Sequence, residues 1–175
     1  VESKKSIIEN LAPVLTAIFT PLFAAGLVVA VVVYAAAGIG RPFDRDLLVV
    51  FDVLLLVVVG LVLYGLSARD PQRPTGVMDV IRLVAVIAAV VLDLLVLGSL
   101  VSRIGEYGLT PNRVVALGLN VLLVANLAVT AVLGFRRPGH VAAGSMARWQ
   151  VGFVPVFGLW AAFVVLVLPP LFGFA

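Results

Sequence analysis

The run VMDVIRLVAVIAAVVLDLLVLGSLV, from Val77 to Val101, decides the fold class. At about 1.5 Å per residue, a helix of this length crosses the roughly 30 Å hydrocarbon core of a bilayer. The run shows no apolar/polar alternation, and it is about twice as long as the roughly 10 residues of a membrane barrel strand. Its valines do not argue for a strand. Lipid penalises every unmade backbone hydrogen bond, and a helix makes them all within one segment. That penalty overrides valine's modest helix propensity.

Working outward, clusters of charge, Pro and Gly bound four more such stretches: about Leu11 to Gly38, Leu47 to Leu66, Val114 to Phe135 and Trp149 to Leu168. Pro169, Pro170 and Gly173 then predict a non-helical C-terminal tail. The expected fold is all-α, a polytopic transmembrane bundle of five membrane-spanning helices in a single domain over residues 1–175. Composition points the same way. A chain that is 63% hydrophobic and only 12% charged, with a mean hydropathy of +1.23, lies far from soluble domains, which are about half apolar and a quarter charged.

Basic residues set the expected orientation. Along an alternating five-span path, Lys4, Lys5, Arg69, Arg73, Arg82, Arg136, Arg137 and Arg148 fall on the N-terminal side, whereas Arg41, Arg45, Arg103 and Arg113 fall on the other. Arg82 is counted by snorkelling to the near interface. The positive-inside rule then places the N-terminus and the connectors near 67–76 and 136–148 in the cytoplasm and the C-terminus outside. Tyr34, Tyr64, Tyr107 and Trp149 fall near span ends, where amphipathic rings favour the headgroup region. The net charge of +3 has the same origin, and no clustered basic face predicts a nucleic-acid partner. The expected partners are the lipid bilayer and either further helices of a longer chain or a second copy.

Lys4-Lys5 ahead of an apolar run resembles a secretory signal, but the run is too long for a signal h-region and lacks a small-residue cleavage site. A chain that starts at Val1 without methionine reads instead as a piece of a longer membrane protein. Ser6 to Asn10 are expected to lie partly in the interface, with Pro13 and Pro21 bending the helix that follows.

The chemistry available inside such a bundle is narrow. There is no cysteine, and the single histidine, His140, stands in a connector where a solvated or headgroup-facing role is expected. Clusters suited to acid–base, nucleophilic or metal chemistry are missing, so no catalytic residue, metal or cofactor is expected and the chain does not read as an enzyme. No phosphate-cradling glycine pattern opens any helix. Gly60, Gly98, Gly118, Gly134, Gly152 and Gly158 are places for close helix approach.

Acidic residues inside spans are costly, at about 2.5 to 3.5 kcal/mol on insertion scales, and Asp52 and Asp93 are the two that stand there. Asp93 lies about nine residues before Ser102, and Asn120 about ten after Thr110, so both are predicted some 14 Å from the same end of an antiparallel hairpin and in reach of each other. Two readings follow. In the first, Asp93, Asn120, Asp52 and Asn126 form a polar intramembrane site for a cation, a proton or a polar group of a substrate. Alternatively, a protonated Asp93 donating to Asn120 holds two helices together, with Asn126, Thr130 and Ser99 as further interhelical bonds.

The most distinctive connector is Arg103-Ile-Gly-Glu106-Tyr107-Gly-Leu-Thr110-Pro111-Asn112-Arg113. Thr110 suits a helix N-cap and Pro111 a first helical residue, Gly105 and Gly108 permit a tight reversal, and Glu106 is expected to pair with Arg103 or Arg113. It reads either as a rigid hairpin or as a ligand- or partner-binding corner. From Arg103 to Asn126, through Ala116-Leu-Gly-Leu-Asn120, the chain resembles the YGLTPNR segment of DUF4153, a family of uncharacterised bacterial multi-pass membrane proteins. That resemblance implies the bacterial inner membrane and a larger protein with more spans; it brings no catalytic residues. The leading expectation is a transporter or permease-like domain. The alternative is a structural, anchoring or signalling transmembrane domain without a translocated substrate.

Overall fold

A computed structural model of the protein describes residues 2–37, 45–67, 76–136 and 140–173. Five long helices, α1 (Glu2–Ala37), α2 (Arg45–Ser67), α3 (Val77–Tyr107), α4 (Pro111–Arg136) and α5 (His140–Leu166), are followed by one turn, α6 (Leu168–Leu171). Each long helix contains a segment long and apolar enough to cross a membrane, and the described residues contain no strand. The protein is a multi-pass bundle suited to a lipid bilayer.

The helix α3 is the hub. It packs against α1, α2 and α4, whereas α5 rests on α4 and α2. Burial follows this order, since 39% of the membrane-spanning window of α3 is buried inside the bundle against 6% of that of α5. The centre is filled by Leu27, Leu55, Leu92, Leu123 and Leu127, and a smaller cluster of Leu48, Val96 and Leu100 receives Tyr34 and Phe51 near the α3–α4 corner. Large apolar side chains such as Val29, Val33, Val53, Leu94 and Leu159 point outward. In water such a surface drives aggregation; in hydrocarbon it is the solvated face.

Lipid tails are as apolar as leucine, so helix association depends on close fit and polar contacts rather than on apolar burial. Gly118 provides the tightest fit. The indole ring of Trp160 occupies the place where a β-carbon would stand at Gly118, so α5 is keyed into α4. Gly134 receives Leu83 and Met146 in the same way, at 2.8 Å from that position. Beyond Gly60, Gly98, Gly152 and Gly158 there is open space, so these four glycines are not the close-approach points expected of them.

The helices are longer than the apolar runs imply. Residue 1, and so the start of the chain, lies outside the described residues, but α1 runs unbroken from Glu2 through Pro13 and Pro21. Proline is tolerated there because neighbouring groups can satisfy the freed backbone carbonyls. Pro155 sits inside α5 under the same allowance. The tail expected to be non-helical instead forms α6, because Pro169 and Pro170 occupy its first turn, where a missing backbone N–H costs nothing. His140 opens α5, and its side chain lies outside the described residues.

The α3–α4 corner follows the sequence in part. Pro111 is the first residue of α4, Thr110 accepts the Val114 amide through its carbonyl at 3.0 Å, and Gly108 turns the chain at φ +74. Gly105, by contrast, is inside α3 and takes no part in the reversal. Glu106 is exposed and forms no ion pair among the described residues. Arg113 instead donates to the Gly108 carbonyl at 2.6 Å and lies 5.5 Å from the Tyr107 ring centroid. The carbonyl and the aromatic face fix the guanidinium without Glu106 and use only one of its five N–H groups. At the opposite end, Arg82 is tied to Asp79 at 3.4 Å beside Gly65.

Candidate functional site

Polar side chains inside the bundle form two separate groups. The first joins α2, α3 and α4. Asn120, fully buried, donates from Nδ2 to Asp52 Oδ1 at 2.8 Å and to the Ala116 carbonyl at 2.8 Å. Both amide hydrogens are thereby used, while its Oδ1 is buried with no partner.

Asp93, on the buried face of α3, is also fully enclosed, and neither of its oxygens has a hydrogen-bond partner. Asp52 and Asp93 are within electrostatic reach of each other. Asn120 bonds to Asp52, not to Asp93 as counting depth from the corner predicts. The reason is axial. Because α3 continues to Tyr107, Asp93 sits fourteen residues from the end of its helix (107 − 93) and Asn120 nine from the start of the next (120 − 111), a mismatch of about 7 Å.

A cleft of about 470 Å³ opens at the corner end of this group. Asp52 lines its inner wall, Leu48, Leu100 and Leu119 line its sides, and Arg103 and Arg113 stand at the corner. Asp93 and Asn120 do not line it. Volume and mixed lining match those of small-molecule sites, which are mostly apolar with a few placed polar groups. Among the described residues no three His, Cys, Asp or Glu side chains gather as a metal site.

The second group ties α4 to α5. Asn126 Nδ2 donates to Gln150 Oε1 at 3.1 Å, and Gln150 Nε2 donates back to Asn126 Oδ1 at 2.9 Å and to Thr130 Oγ1 at 2.8 Å. The Thr130 hydroxyl donates to the Asn126 carbonyl at 2.8 Å, and Trp149 Nε1 reaches the same carbonyl at 3.2 Å. Asn126 is thus separated from Asp52, Asp93 and Asn120. Both polar atoms of its side chain are bonded to Gln150. Trp149 is drawn into the bundle rather than serving only as an interfacial anchor.

No family model, curated protein or solved structure matches this chain. The site must be read from its own chemistry. Gln150 and Trp149 are the participants that the apolar-run reading passes over, because they stand at its estimated start of the fifth span. An amide side chain on the helix antiparallel to Asn126 was the available signal. Ser99 is buried on α3.

Proposed function

We propose that this chain is a transporter or permease-like domain in which Asp93 holds a proton or a small monovalent cation, reached through the cleft lined by Asp52. One observation carries this reading. A completely buried carboxyl group whose two oxygens have no partner is expensive in a bilayer, and an exchangeable proton or cation is the ligand that relieves the cost. Carboxylate and amide oxygens are the donors that hard cations prefer. Asp52, which lines the cleft, and the free Oδ1 of Asn120 bonded to it supply two more of them. The expected orientation puts the cleft on the outer face of a bacterial inner membrane, with the N-terminus in the cytoplasm and the C-terminus outside. Kinship with DUF4153 rests on the Tyr107–Arg113 segment and the continuation to Asn126. No catalytic role is assigned to any residue.

A structural, anchoring or signalling domain is the second reading, favoured by the mutually bonded Asn126–Thr130–Gln150 group, which holds helices together without any ligand. The two readings part on Asp93. In proteoliposomes, Asp93→Asn and Asp93→Leu are expected to lower proton or sodium flux by about tenfold or more, the penalty of losing one charge-assisted contact. The melting temperature of the wild-type chain should depend on pH or sodium, and that dependence should vanish in both variants. Variants that only melt earlier, with flux and ion dependence intact, would leave the structural reading standing.

A further inference from the structure

The cleft carries opposite charges at its two ends. Arg103 and Arg113 line it at the corner, together with Thr110 and Asn112 at the start of α4, whereas Asp52 lines it deeper. Asp52 is anchored to Asn120, and Asn120 stands seven residues, or about 10 Å of helix, beyond Arg113. One Asp52 oxygen takes the Asn120 amide; the other is left to the cleft.

At the corner, Arg113 is held in place by the Gly108 carbonyl and the Tyr107 ring, while Arg103 has no ion-pair partner among the described residues. The first amides of α4 have no intrahelical acceptor and add partial positive charge beside both guanidinium groups. An anion fits this end and a cation the other. Leu100, Val115 and Leu119 between them suit a short apolar linker.

We infer that the cleft binds a small zwitterion, its phosphate or carboxylate held by Arg103 and Arg113 and its ammonium by Asp52. A lone anion would leave Asp52 facing it with like charge, and a lone cation would leave two guanidinium groups unused. The volume of about 470 Å³ admits a molecule of this size and not a folded partner. The inference names the substrate class of the site proposed above and rests on that reading for the step beyond binding. An aminophospholipid headgroup and a free zwitterion share this chemistry.

The test uses the chain reconstituted in phosphatidylglycerol nanodiscs, which supply anionic headgroups without ammonium. Soluble O-phosphoethanolamine is titrated in, and in a second arm phosphatidylethanolamine is included in the disc, with binding followed by native mass spectrometry and thermal shift. Saturable binding of the soluble probe indicates a free zwitterion; selective retention of phosphatidylethanolamine indicates a headgroup; either supports the inference. In both cases Arg103→Gln and Asp52→Asn should each weaken binding by about tenfold or more, since each removes one charge-assisted contact.

Arg103 is half-buried near the end of α3, so its substitution leaves the fold intact if Asp52→Asn does not. Absence of binding in both arms overturns the inference, as does binding unchanged by Arg103→Gln. Inorganic phosphate binding as tightly as phosphoethanolamine also overturns it, because the ammonium contact would then be idle. Asp93→Asn separates the two proposals: zwitterion binding should survive it while ion-dependent flux is lost.

Discussion

Gly118→Ala is expected to destabilise the bundle by about 3 kcal/mol, at the upper end of the cost of over-packing a tight site. The added methyl group would fall inside the indole ring of Trp160, and a ring cannot deflect as the end of a lysine or arginine can. Either α5 moves away from α4 or Trp160 leaves its rotamer. Alanine's better helix propensity recovers less than about 1 kcal/mol. Unfolding in mixed detergent, followed by tryptophan fluorescence, should show an earlier transition. The double variant Gly118→Ala with Trp160→Ala should recover part of the loss, because the second substitution removes the group with which the methyl collides. Equal stability of wild type and Gly118→Ala would mean that α5 is not keyed into α4 at this point.

Gln150→Leu is expected to cost about 2 kcal/mol. Leucine is apolar and of similar size, so packing changes little while three hydrogen bonds vanish. Each interhelical bond in a membrane contributes about 0.6 kcal/mol on average, and a buried polar group left without a partner costs about 1 to 3 kcal/mol. The Asn126 side chain would lose both of its hydrogen bonds to Gln150 at once, and Thr130 would lose one. Asn126→Leu should cost a similar amount. The double variant should be less damaging than the sum, since with both amides gone no unsatisfied pair remains. A strictly additive double variant would contradict the reciprocal pairing.

How much of this was legible in the sequence differs from element to element. The five spans were, because bilayer thickness demands long apolar runs and this chain has little else. The start of α4 was also legible, since Thr110 and Pro111 have strong positional preferences. The polar contacts were less so. Counting residues from the corner fixes depth only if the helix ends are known, and the extension of α3 through Gly105 to Tyr107 shifted Asp93 by more than one turn. Rotation about the helix axis was not available at all. Nothing in an apolar run without periodic polarity says which face meets which neighbour, so the choice of Asp52 as the partner of Asn120 depended on how α2 packs against α4.

The same limits explain Asn126 and Gln150. Both are amides in apolar surroundings, but the run-based start of the fifth span near Trp149 put Gln150 at a boundary, where a polar side chain attracts no notice. The α5 helix in fact begins at His140. That moves Trp149 and Gln150 to its third turn, opposite Thr130 and Asn126.

In the proposed function, Asp93 exchanges a proton or cation inside the bundle. Infrared difference spectroscopy of the reconstituted chain, recorded across a pH step and across a sodium step, reads this group directly. A carboxyl band should change with one of the two steps and be absent from the Asp93→Asn spectrum. A difference spectrum that is the same in wild type and Asp93→Asn would contradict it, and Asp93 would then be a buried carboxyl with no exchangeable ligand.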